Sequence, residues 1–136
     1  MKNIALLLFI SVTVLVASCT KETVSDRFTL LTSHIWRTDS LLAGGVNASG
    51  PGQLLEKFAG DIKFDEDGTG YFGQYTGTWR FVYDETSIVL ESPELPVPLT
   101  ALIKELTATS LKLTTNYPNI TEPSNPLKIR MTFKPK

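Results

Sequence analysis

The chain holds one histidine, His34, and one cysteine, Cys19, in 136 residues. A zinc site needs three or four convergent ligands, so no His/Cys metal set can be built from these types, and no internal disulfide either. A single histidine beside Ile35 and Trp36 reads as a packing or surface residue rather than a base. No Gly-x-Ser-x-Gly elbow and no phosphate-cradling glycine loop occurs. The expectation is a protein that is not an enzyme and carries no cofactor. Charge is also scarce on either side: 13 basic against 14 acidic residues, a formal net charge of -1. With no basic stripe, a nucleic-acid partner is not expected. Internal repeats and long helical patterns are missing as well. One apolar run stands out, Ile4 to Val16, and nothing like it follows.

That run is short for a bilayer span and is preceded by Lys2, the arrangement of an export signal. It ends in "VASC", Val16 to Cys19, with the small residues Ala17 and Ser18 just before the cysteine. This resembles the lipobox of bacterial lipoproteins. The resemblance implies cleavage before Cys19 and acyl chains on the new N-terminal residue. One acyl chain would hold weakly, at about 0.8 kcal/mol per buried methylene, whereas two or three make a lasting anchor. The expected organisation is a signal peptide over 1–18, a polar tether over 19–27 and one folded domain over 28–136. By the same resemblance Thr20, where an inner-membrane retention signal would have Asp, points to the outer membrane, on its periplasmic face or at the cell surface.

Strand patterns dominate the rest. Ser25 is a candidate N-cap for a short helical turn over Asp26 to Leu31. "IWRTDSLL", Ile35 to Leu42, is the first strand. Gly44 to Gly52 is punctuated by glycine and proline and reads as a flexible loop. In "QLLEKFAG" the residues Leu54, Leu55 and Phe58 suit one face of a helical turn. "GTWRFVY" alternates Trp79, Phe81 and Tyr83 against Thr78, Arg80 and Val82, a half-buried strand with the aromatics inward. "SPELPVP" is a stiff loop, because proline donates nothing to a ladder. "TALIKEL" and "SLKLTTN" flank a turn. The last strand, "LKIRMTFK", sets Leu127, Ile129, Met131 and Phe133 on one face. About eight strands joined mostly as hairpins predict an all-β, eight-stranded antiparallel up-and-down barrel, whose closure removes exposed edges; a two-sheet sandwich is the alternative.

"IKFDEDGTGYF", Ile62 to Phe72, resembles a calcium loop at first sight. Aligning Gly68 with the EF-hand glycine puts Lys63 in the first ligand position and Gln74 in the last, so the site fails on charge. Asp67-Gly68 instead supplies the tip of a hairpin. A two-residue turn would pair Phe64 with Tyr71; a type I turn with a bulge at Gly68 would pair Ile62 with Phe72. The other acids, Asp61, Asp65, Glu66, Asp84 and Glu85, fall at hairpin ends, where solvated carboxylates are ordinary.

"LLTSHIW", "IKFDEDGTGYF", "GTWRF", "IKELTATSLKLT" and "IRMTFKPK", in that order, look like the lipocalin-like domain of small bacterial lipoproteins. The resemblance covers about Phe28 to Lys136. It implies a short calycin-type barrel, with Trp36 closing the floor. Trp36, Phe64, Trp79, Phe81, Tyr83, Met131 and Phe133 are the large inward candidates. They either fill the barrel as plain core or leave a small pocket at its open end. Two functions follow. One is a lipid-anchored binder of a small apolar or amphipathic molecule. The other is an envelope interaction module or inhibitor that works through its outer surface and loops, with no lumen ligand.

Overall fold

The computed structural model describes residues 24–136. Cys19 and the apolar run before it lie outside the described residues. The chain forms a helix α1 (Asp26–Thr32) and the strands β1 (Ile35–Ala43), β2 (Val46–Asn47), β3 (Asp61–Phe64), β4 (Thr69–Phe72), β5 (Tyr75–Val82), β6 (Ser87–Glu91), β7 (Leu99–Leu106), β8 (Leu111–Tyr117) and β9 (Leu127–Pro135). Strand order runs β1-β3-β4-β5-β6-β7-β8-β9, and β9 returns to β1 along Trp36↔Pro135 through Ala43↔Ile129. That last pairing closes an eight-stranded antiparallel barrel and excludes a two-sheet sandwich. The ninth strand, β2, is a two-residue flap on the end of β1. It sits in the segment read as a flexible loop. Gly44 and Gly45, at φ 60 and 82, make the tight turn that folds it back, the double left-handed pattern of a type I′ hairpin.

Local rules place several of these elements. Ser25 caps α1, its Oγ accepting from Phe28 N at 3.1 Å. The helix starts at Asp26, as expected, and runs to Thr32, one residue past the expected Leu31; Arg27 Nε donates to Glu85 O at 3.0 Å. At Asp67-Gly68 the bulged register forms, with Ile62↔Phe72 and Phe64↔Gly70. Gly68 takes φ 86, and Asp67 Oδ1 accepts from Thr69 N at 3.0 Å. The side chain thus fixes a type I turn that glycine can leave through the left-handed region. The register turns Phe72 inward, where it is fully buried.

The two ends of the barrel differ. At one, α1 lies across the opening. Leu31 and Trp36 are both 0% exposed, and Trp36 Nε1 donates to Leu31 O at 3.0 Å. The Lys63 ammonium reaches the Thr32 carbonyl at the helix C-terminus, where a cation suits the dipole. Phe64 packs on Phe72 and edge-on to Trp79, each at 5.5 Å between centroids, and Trp79 meets Phe81 edge-on at 5.4 Å. Such T-shaped contacts are favoured over face-to-face stacks. This half is packed solid. The other end is framed by the Gly44–Gly60 segment and the loops before β7 and β9.

Tyr83 corrects the inward aromatic row. β5 ends at Val82, and Tyr83 stands 75% exposed in the turn. Tyr83, Asp84 and Glu85 all take positive φ, 54, 53 and 63. That run breaks the strand's alternation and throws the ring out into solvent.

One carboxylate braces the seam. Asp61 accepts from Lys136 Nζ at 2.8 Å and lies 3.3 Å from Arg37 Nε. It ties the C-terminus and β1 to the start of β3. The Lys136 hydrogen bond, reinforced by Arg37 and opposed by some desolvation, holds its carboxyl below the usual 3.8. A depressed folded value means that the stabilisation is complete above the unfolded pKa and fades as pH falls through the folded one. Asp61→Asn should therefore be less stable than wild type in urea melts at pH 7, and the difference should shrink below about pH 4. An equal difference at both pH values would refute the assignment.

Candidate functional site

The open end holds a cavity of about 430 Å³. Its floor is apolar: Ile129 and Met131 from β9, with Leu55 and Phe58 from the short 3-10 turn Glu56–Phe58 and the residue before it. Leu99 from β7 and Tyr75 from β5 make walls, and Leu54, Pro96, Val97 and Pro118 form the rim. A volume of this size falls at the low end of small-molecule sites, about 300–1,000 Å³.

Each lining element is held by an identifiable contact. Gly73 and Gln74 form a two-residue turn between β4 and β5, with Gly73 at φ 63. Gln74 N donates to Lys57 O at 2.8 Å, which docks the 3-10 turn against the hairpin. Phe58 then packs on Tyr75 with 4.7 Å between ring centroids. Leu55 N donates to Ala48 O at 2.8 Å and Ala48 N to Leu41 O at 2.9 Å, so the long segment after β1 is laced over the barrel mouth. On the far side, Leu95 N donates to Ser92 O at 3.0 Å. Pro93, Pro96 and Pro98 lack the N–H that a continuous ladder needs, so this loop stays a rim instead of a strand.

The polar members are few: Tyr75, Thr100, Thr115, Asn116 and Tyr117. Burial, then Glu94 and Tyr117, pushes the Tyr75 phenol above its ordinary 10.0. It therefore stays protonated at neutral pH and can donate a hydrogen bond. Among the described residues, the lining contains no lysine, arginine, aspartate or glutamate. The site can take an apolar body and orient a hydroxyl or carbonyl; it supplies no charged group to a buried guest.

The structure separates the seven aromatic and sulfur candidates. Met131 lines the mouth cavity. Trp36, Phe64 and Phe133 are sealed inside the packed half. Trp79 and Phe81 border a shallow depression of about 290 Å³ beside Phe28 at the closed end. Trp79 is pinned there by its Nε1, which donates to Asp65 O at 2.9 Å. Tyr83 points away from all of them. His34 sets its ring edge-on to Trp36 at 5.4 Å. Tyr75, Tyr117, Leu99 and Phe58 were not among the sequence candidates. The apolar face Leu54, Leu55 and Phe58 was the one signal for them, visible as a helical turn with no partner assigned.

No known protein family's sequence profile matches the chain, and no curated protein matches it.

Proposed function

We propose that this protein is a lipid-anchored carrier or sensor of a small apolar or amphipathic molecule in the bacterial envelope, tethered through acyl chains on Cys19 and binding its guest in the barrel mouth. The observation that carries the binding half is the cavity over Ile129 and Met131, apolar at its floor, with two phenols and an amide around its walls. Burying apolar surface there contributes roughly 25 cal/mol per Å², and the polar groups set orientation. The closed end is filled by core side chains, which confines any guest to the mouth. The anchor half rests on the lipobox-like "VASC" and on the resemblance to lipocalin-like lipoproteins. The short polar tether would hold the barrel close to the membrane.

One mass measurement tests both halves. The full chain is extracted from its own membrane in mild detergent and weighed native, then denatured. The denatured mass is expected to begin at Cys19 and carry diacylglyceryl and acyl additions, which Cys19→Ala removes. The native mass should exceed it by a non-covalent guest, and Leu99→Trp, which fills the cavity, should lower the guest's occupancy. An unmodified cysteine refutes the anchor. A native mass with no excess, and none after incubation with dodecanol, refutes the binder and favours the surface-acting envelope module.

A further inference from the structure

The barrel wall is not continuous. β7 and β8 stay paired from Leu106↔Leu111 to Leu102↔Thr114. Carried on, that ladder would join Ala101 to Thr115, Thr100 to Asn116 and Leu99 to Tyr117, and none of these pairs forms. Each strand keeps its other neighbour over this stretch: Leu99 pairs with Leu90 on β6, and Tyr117 with Leu127 on β9. The two halves of the wall part company towards the open end. A side chain spans the gap where backbone bonds would have been, with Thr115 Oγ1 donating to Thr100 O at 2.7 Å.

The gap lies between the mouth cavity and a second concavity. A groove of about 590 Å³ runs along the outer face of β6 to β9. Thr100, Thr115, Asn116 and Ile129 line both the groove and the mouth cavity. Ile129 is an inward core residue, 2% exposed, and it borders both hollows. The groove carries what the cavity lacks. Lys104, Lys128 and Arg130 line it, with Ser87 and Thr114, and none of the described carboxylates does. Among the described residues, the ion pairs use Arg37, Arg80, Lys112, Lys134 and Lys136. Lys104, Lys128 and Arg130 have no such partner among the described residues. In a chain whose charges nearly cancel, they mark a local surplus.

We propose that the guest is a single-chain amphiphile with an anionic head, a carboxylate or a phosphate. Its chain lies on Ile129 and Met131, and its head passes through the β7–β8 gap to Lys128 and Arg130. This rests on the reading of the mouth cavity as a binding site for apolar molecules. An anion kept inside the cavity would be desolvated without a counter-charge, which is costly. An anion at the gap meets an ammonium and a guanidinium that no protein acid occupies, and charge-assisted hydrogen bonds are the strong ones. A cationic head would meet only like charge.

The test uses photoactivatable dodecanol, dodecanoate and dodecyl phosphate, each with a diazirine on the chain, and the full chain in nanodiscs of neutral lipid. Labelled residues are mapped and labelling is titrated. One or both anionic probes should label the β9 segment around Met131 at about tenfold lower concentration than dodecanol, the order expected of a charge-assisted contact. The double variant Lys128→Gln/Arg130→Gln should bring them back to the dodecanol value while leaving dodecanol labelling unchanged. Whichever anionic probe is favoured identifies the head. Equal labelling by dodecanol and both anions, or an anionic preference that survives the double variant, overturns the proposal and leaves the cavity reading standing. No labelling of the cavity by any probe removes the cavity reading itself.

Discussion

Trp36→Ala is expected to destabilise the barrel by about 3–5 kcal/mol, the range for deleting a large buried aromatic. The ring is wholly excluded from solvent, so truncation leaves a cavity among side chains already packed on every side. It also strips the Leu31 carbonyl of its donor at 3.0 Å, which adds the cost of an unpaired buried acceptor, about 1–3 kcal/mol. Those two effects meet at the same place, because Leu31 is the residue by which α1 plugs the barrel. A domain of this size has net stability of about 5–15 kcal/mol, so the loss is a large part of the whole. Trp36→Phe separates the contributions: it keeps most of the packing and removes the N–H, and should cost less. Urea unfolding followed by circular dichroism reads both variants. A loss below about 1 kcal/mol for Trp36→Ala would mean that the helix is held by something other than this ring.

Gly73→Ala is expected to damage stability and binding together. Gly73 takes φ 63, where a side chain costs about 1–2 kcal/mol. A β-carbon there would also overlap the Lys57 carbonyl and stand 2.8 Å from the Phe58 carbonyl carbon. Relieving that overlap pushes the 3-10 turn off the hairpin, with a further cost of about 1–3 kcal/mol for forced overpacking. The turn carries Leu55 and Phe58, so the cavity floor should shift and dodecanol labelling should weaken. Gly45→Ala is the control. Gly45 has φ 82 and open space around the added methyl, so it pays the backbone penalty alone and leaves the mouth intact. If the two variants lose the same stability and label alike, the close approach of Lys57 is not what holds the floor.

Those contacts explain how far the sequence could be read. Ser25 and the alternation in β9 act over a few residues, and both were legible. The Asp67-Gly68 hairpin was legible as a hairpin but not in its register, because two turn geometries share that dipeptide. The Asp67 carboxylate bonding to Thr69 decides between them. Tyr83 shows the limit of a period-two pattern, which says nothing of where a strand stops. No glycine announces the left-handed run that follows Val82. The mouth cavity was least visible. Its pieces, a helical turn, a proline loop and a tyrosine at a strand start, are each ordinary. What makes a site of them is pairing at a distance, such as Gln74 with Lys57. The split between β7 and β8 depends on which neighbours each strand keeps, and no stretch of residues displays that.

Lys136, the last residue, donates its backbone N–H to Ile35 O at 2.8 Å, next to Trp36↔Pro135. The seam that turns a ribbon into a ring is therefore made from the two most distant parts of the folded chain. Loop closure over such a span is entropically slow and has little to reward it until hairpins in between have formed. Until β9 meets β1, the intermediate is an open ribbon with two bare edges, and unpaired edges are templates for pairing with another chain.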